Sequence, residues 1–266
     1  MKLNNKVIIV TGGAGFLGSL FCELILKFGG RPIILDNNQI LLQKEIKRIE
    51  SKYKKKILGF CVDISNEKKI AEIKIKILKK YKKIDGLVNN AALNPDVNFL
   101  KNNDCSLEEY PMEFFQKEFD VGLKGALICT KIFGKYFSKK KNGNIINISS
   151  DLGIISPTQH IYESKKSKKK QVKPVSYSII KSGIIGLTKY TSTYWANNNV
   201  RCNAIAPGGV YNFQNKTFLK KISKLIPMKR LGKKEEVGYL LIFLLSDFSS
   251  YINGAVISVD GGRTAW

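Results

Sequence analysis

Seven short apolar runs, separated by longer stretches of helical periodicity, decide most of what this chain can fold into. The runs span residues 6–11 (KVIIVT), 31–36 (RPIILD), 57–62 (ILGFCV), 84–89 (IDGLVN), 144–149 (NIINIS), 200–206 (VRCNAIA) and 255–259 (AVISV). They are rich in Val and Ile and too short for helices, as strands buried on both faces are. Between them, apolar residues recur at helical spacing over 16–28, 39–53, 67–81, 112–138, 176–194 and 233–246. This order predicts an α/β fold with a doubly wound parallel sheet, which binds its ligands beyond the carboxyl ends of the strands. No composition break or repeat divides the 266 residues, so a single domain over 1–266 is expected. Two segments interrupt the alternation: a polar, Lys-rich insertion at 157–174 and a Pro/Gly-punctuated loop at 207–232. Long loops in compact domains often border functional sites.

Composition narrows the function classes. The formal charge is +24, from 45 Lys and Arg against 21 Asp and Glu, which raises nucleic acid, membrane surfaces and acidic substrates as partners. However, 40 of those cations are Lys and only five are Arg, beside 33 Ile and 21 Asn. Bidentate phosphate and guanine recognition favours Arg, so the excess reads as compositional bias, with no nucleic-acid partner expected. No apolar run approaches the roughly 20 residues that span a bilayer. The N-terminal apolar stretch, 7–10, is too short for a signal peptide, so a cytoplasmic protein without membrane association is expected. Five cysteines without CxxC spacing and a single His leave no metal set and fit a reducing compartment.

Two motifs carry chemistry. The first predicted strand enters Thr11-Gly12-Gly13-Ala14-Gly15-Phe16-Leu17-Gly18 and then a helix. Glycines there permit a tight turn and close backbone approach, so the helix N-terminus can face a pyrophosphate, as in Rossmann-type dinucleotide sites. Asp36 ends the second strand, where a carboxylate accepts from an adenosine ribose diol and repels a 2′-phosphate. NAD is therefore expected over NADP. The second motif is Tyr177 with Lys181, whose spacing of four places both on one helical face. An ammonium beside a phenol favours the phenolate and lowers the Tyr pKa toward a range useful for acid–base work. A second copy of that spacing, Tyr162 with Lys166, lies in the polar insertion without helical periodicity behind it.

With these residues in view, the chain resembles a short-chain dehydrogenase/reductase of the compact single-domain type over nearly its whole length. The resemblance rests on the glycine turn, Asp63, the 89–92 segment NNAA, the 149–153 segment SSDLG, Tyr177 and Lys181, the 203–208 segment NAIAPG, and 260–262 DGG. Within the family it is most similar to flagellin- and surface-glycan-modification oxidoreductases. Those share Pro95 soon after NNAA, an extended loop before the active Tyr, and a segment like 175–178 VSYS. The resemblance implies Tyr177 as general acid/base, Lys181 as its pKa partner and ribose ligand, and Ser150 as the group orienting the substrate oxygen. It also implies a cofactor held by Gly12, Gly15, Phe16, Leu17, Gly18 and Asp36. Asp63 and Ile64 would flank the adenine, Asn89 and Ala91 would line the cleft, and Pro207, Gly208 and Val210 would pass the nicotinamide carboxamide. A homodimer or homotetramer is implied as well, and the apolar run 239–245 and the tail 264–266 are compatible with one.

Three positions depart from the family pattern. Phe16 stands where compact members usually carry Gly, a spacing otherwise typical of the larger two-domain branch. Gly122 occupies the place of the usual central-helix Asn that helps hold a relay water. Asn212 replaces a frequent Thr. The Ser150–Tyr177 gap of 27 residues is lengthened by the insertion, whose Lys165, Lys166, Lys168, Lys169 and Lys170 could steer an anionic sugar substrate. Tyr162, Tyr211 and Phe213 are candidate pocket aromatics. The leading expectation is an NAD-dependent oxidoreductase interconverting a secondary alcohol and a ketone on a small molecule, with a sugar or sugar-nucleotide as candidate. Alternatives are a 3-oxoacyl-thioester reductase and, because of Gly122, a catalytically impaired cofactor-binding scaffold.

Overall fold

The computed structural model describes residues 1–93, 105–162 and 171–266. Seven strands, β1 (Val7–Thr11), β2 (Arg31–Asp36), β3 (Leu58–Cys61), β4 (Gly86–Asn89), β5 (Gly143–Ile148), β6 (Val200–Pro207) and β7 (Val256–Val259), form one sheet. Their order is β3-β2-β1-β4-β5-β6-β7 and every pairing is parallel. The chain builds outward from β1 to β3 and then crosses back to place β4 on the other side of β1. The junction of β1 and β4 is therefore the switch point at which such sheets open a crevice.

The helices are α1 (Phe16–Lys27), α2 (Gln39–Tyr53), α3 (Glu67–Tyr81), α4 (Met112–Phe119), α5 (Gly125–Lys140), α6 (Val175–Tyr194), α7 (Lys216–Ser223) and α8 (Lys234–Leu245). Their starts are set locally: the side chains of Asn38, Asn66 and Asn215 each accept a first-turn backbone N–H of α2, α3 and α7. Alternation along β1 sends Ile8 and Val10 to one face and Val7 and Ile9 to the other. The first pair packs in a core with Phe21 and Ile25 of α1 and Leu241 and Ile242 of α8. The second packs with Ile70 and Ile77 of α3 and Phe133 and Phe137 of α5. Both sheet faces are thus sealed by helices, which explains the unbroken apolar character of the strands.

One expected helix is divided. The periodic stretch 112–138 contains a π-helical turn, Asp120–Lys124, between α4 and α5. Small residues mark the break: a Cβ at Gly122 would meet Ile180 Cγ2 at 2.8 Å, and one at Gly125 would meet Ile64 at 2.6 Å. α6 and the loop after β3 thus pack closely against these two glycines. Such single π turns recur near functional sites.

Candidate active site

A cleft of about 610 Å³ opens beyond the carboxyl ends of β1, β2, β4, β5 and β6. Its β1 end is built by the glycine turn. Helix α1 begins at Gly15 with no side-chain cap, so its first-turn N–H groups are presented to the cleft, a ready anion cradle. A Cβ on Gly18 would stand 2.1 Å from the Gly12 carbonyl oxygen and 2.9 Å from Asn90 Nδ2, so only glycine lets the helix approach the turn. Asn90 straps the turn from the β4 end by donating to the Thr11 and Gly12 carbonyls at 3.0 and 3.1 Å. Thr11 Oγ1 in turn accepts the Asn90 and Ala91 N–H groups. At the tip of β2, Asp36 accepts from Ala14 N at 3.1 Å and Asn38 N at 3.0 Å and still lines the cleft. An uncapped helix start with a carboxylate beyond it fits a dinucleotide.

The opposite end is built by β5 and α6. Tyr177 lies in the first turn of α6, and Lys181 follows on the same face; both line the cleft. Ser149, after β5, donates to the Lys181 carbonyl at 2.7 Å and binds the strand end to the helix. The Gly153 Cα comes so close to α6 that a Cβ would meet the Lys181 carbonyl at 2.8 Å, which explains the glycine of the SxxG pattern. Lys181 Nζ donates to the Ile148 carbonyl at 2.9 Å and sits 5.7 Å from the Tyr177 ring centroid. Ser150 is buried, donates to Asp151 Oδ1 at 2.8 Å and accepts from Leu152 N at 3.2 Å.

The protonation chemistry differs from the expected lowering of the phenol. Burial pushes the Tyr177 pKa above its ordinary value, hydrogen bonding to Ser150 pulls it back, and the Asp151 charge adds to the rise. Burial also pushes the Lys181 ammonium down to about 8, helped by the nearby charge of Lys173. Desolvation of the buried phenol outweighs the hydrogen bonding to Ser150, and Lys181 Nζ, 5.7 Å from the ring centroid, does not reverse it.

The cleft wall contains Gly12, Gly15, Phe16, Leu17, Asp36, Asp63, Ile64, Ala91, Tyr177, Lys181, Pro207, Gly208 and Val210. Three expected site residues stand elsewhere. Gly18 lies behind the turn as a packing position. Ser150 is beneath the surface, within hydrogen-bonding influence of Tyr177. Asn89 turns into the core, donating to Thr130 Oγ1 at 3.0 Å and Asn147 Oδ1 at 2.8 Å. Asn90, its neighbour, takes the cleft position instead, because strand alternation points adjacent side chains to opposite sides.

Behind Ser150 stands a pair that the sequence does not reveal. Arg263, 112 residues downstream, donates from Nη1 to Asp151 Oδ2 at 2.8 Å, with both side chains 4% exposed. Arg263 Nη2 has no hydrogen-bond partner among the described residues. Tyr162 packs on Phe218 of α7 at 5.7 Å between centroids, in a small apolar cluster with Ile161 and Ile222. Tyr211 and Phe213 pair with each other at 5.6 Å and are exposed. Pro95, Lys165, Lys166, Lys168, Lys169 and Lys170 lie outside the described residues.

A parallel sheet of this order, with a dinucleotide-type turn at one end of its cleft and a Ser/Tyr/Lys group at the other, defines a Rossmann-fold oxidoreductase. The chain belongs to the short-chain dehydrogenase/reductase family of NAD(P)-dependent enzymes. The family model described as enoyl-(acyl carrier protein) reductase matches residues 17–264. The chain is 31% identical over 261 residues to post-translational flagellin modification protein A of Campylobacter coli, covering 98% of each. It is 32% identical over 267 residues to a 3-oxoacyl-(acyl-carrier-protein) reductase of Thermotoga maritima, covering 98% of this chain and 99% of that one. Among solved structures, a short-chain dehydrogenase of Leptospira borgpetersenii with bound NAD+ superposes with a TM-score of 0.84 at 28% identity, covering 99% and 94%. No helix among the described residues is long and apolar enough to cross a membrane.

Proposed function

We propose that this enzyme uses NAD to interconvert a secondary alcohol and a ketone on a small polar substrate, with a sugar or sugar-nucleotide of surface-glycan or flagellin modification as the favoured candidate. The observation that carries the reading is one cleft with Asp36 at one end and Tyr177, Lys181 and, just beneath, Ser150 at the other. NAD, when bound, supplies the hydride acceptor. Gly12, Gly15, Phe16, Leu17 and the backbone that Gly18 allows hold its pyrophosphate side, and Asp36 accepts from its adenosine ribose. Asp63 and Ile64 flank the adenine, and Ala91, Pro207, Gly208 and Val210 enclose the remainder.

Tyr177 takes the proton of the alcohol during oxidation and returns it during reduction. Ser150 turns its single O–H from Asp151 to the substrate oxygen and fixes that oxygen against Tyr177. Lys181 keeps a positive charge near the phenolate and holds the nicotinamide ribose. Gly122 supplies no side chain to a water relay, so the proton leaves by another route than the usual Asn. The likeness to a 3-oxoacyl-thioester reductase keeps that reaction as the second reading, and the Asp36 carboxylate weighs against the NADPH it normally takes.

Two outcomes check this reading. NAD is expected to bind at least about tenfold more tightly than NADP, or about 1.4 kcal/mol, by calorimetry. The gap is expected to narrow in Asp36→Ala. Equal affinity in the unaltered protein would overturn the Asp36 role. The protein is also expected to act in the cytoplasm as a homodimer or homotetramer. Leu127 of α5 and Ile179, Tyr190 and Tyr194 of α6 are exposed, and the last three share one helical face. Light scattering showing a monomer at micromolar concentration would remove that expectation.

A further inference from the structure

Lys173, at the end of the insertion, brings a second ammonium to the reacting end of the cleft. Its backbone is fixed from two sides: its N–H donates to Gln159 Oε1 at 2.9 Å, and Pro174 follows it directly, restricting it to extended conformations. Its side chain lines the cleft, and Nζ sits 3.8 Å from the centroid of the Tyr177 ring. No hydrogen bond or ion pair joins that ammonium to a described residue.

The carboxylates whose fields reach it are committed to other groups. Glu118 accepts from the Tyr110 hydroxyl, and Asp151 accepts from Arg263, Ser150 and Leu152 N. Lys181, the other cation here, is tied to the Ile148 carbonyl. Burial pulls the Lys173 pKa down to about 8, against the raising influence of Glu118 and Asp151. A ring face compensates a half-buried ammonium only in part, and an anionic oxygen would complete the pairing.

We propose that Lys173 is the substrate-anion handle of this site, pairing with a carboxylate or phosphate carried a few bonds from the carbon whose oxygen Tyr177 serves. This rests on the reading of Tyr177 given above. The site then selects anionic over neutral keto compounds, with selectivity set by a residue that packs on the acid/base side chain itself. Gln159 and Pro174 fix the backbone from which the ammonium projects, so the ordering met on binding is confined to the side chain.

The test measures dissociation constants by calorimetry on the full chain loaded with NAD+, which has no hydride to give a ketone, for the unaltered protein, Lys173→Gln and Lys173→Arg. One arm compares acetoacetate with its neutral methyl ester, and the other compares dihydroxyacetone phosphate with dihydroxyacetone. In at least one arm the unaltered protein should prefer the anion at least about tenfold. Lys173→Gln should bring that ratio near one, and Lys173→Arg should retain most of it. The responding arm identifies carboxylate or phosphate as the group read. NAD+ affinity, measured on each variant, reports that it is folded. A ratio near one in both arms of the unaltered protein, or a preference that survives Lys173→Gln, overturns the proposal. Because binding is read without turnover, an intact anion preference with no alcohol oxidation would count against the oxidoreductase reading alone.

Discussion

Replacing Tyr177 by Phe should lower kcat/KM for any accepted alcohol by about 10²- to 10⁴-fold, the usual worth of a positioned general acid/base. The ring and its packing survive this change, so the loss isolates the hydroxyl. Cofactor affinity should change far less, because Asp36 and the glycine turn lie at the other end of the cleft. The acid limb of the pH profile should also lie high. Burial holds the phenol above its ordinary value in the cofactor-free cleft, so the basic form is favoured only as pH rises or as positive charge is added nearby. Steady-state kinetics with NAD binding measured alongside checks both parts. Turnover within a few-fold of the unaltered enzyme would remove Tyr177 from its assigned role.

The second large effect is expected on stability. Arg263→Met should destabilise the protein by about 3–5 kcal/mol, because it leaves the Asp151 carboxylate buried with its charge uncompensated. For a chain of this size that corresponds to a fall in Tm of roughly 10 °C. The carboxylate also accepts from Ser150, so its release should disturb the hydroxyl that faces Tyr177. Removing both charges, as Asp151→Leu with Arg263→Met, should cost less than removing Arg263 alone, since no lone charge remains. Thermal unfolding of the single and double variants distinguishes this from simple loss of packing, in which the double variant would be the worse.

Much of this architecture was legible in the sequence because both sheet faces are covered. Buried strands must be continuous in Val and Ile, and covering helices must be amphipathic, so the alternation of periods reveals the element order. Glycine-turn chemistry and the four-residue Tyr–Lys spacing are local, and they place the two ends of the site. What escaped was decided at long range. The π turn at Asp120–Lys124 lies where Ile180 and Ile64, distant in sequence, pack against Gly122 and Gly125. Asn89 and Asn90 are chemically identical in sequence, and only the strand register decides which one faces the cleft. Arg263 meets Asp151 across 112 residues, so no local pattern announces it. Lys173 is one of 40 lysines, and only its position over the Tyr177 ring separates it from the rest. The direction of the Tyr177 pKa likewise depends on burial, which spacing alone does not report.

The formation of a carbon–hydrogen bond from the cofactor is the most direct measurement. NADH carrying deuterium at the transferring position of its nicotinamide ring is incubated with a panel of hydroxyketones and keto acids, and the alcohols formed are analysed by mass spectrometry. The expected result is deuterium on the carbinol carbon of at least one product with the unaltered enzyme, and its loss in Tyr177→Phe. No label transferred to any ketone by a folded, NADH-binding protein, or undiminished transfer by Tyr177→Phe, would contradict the mechanism.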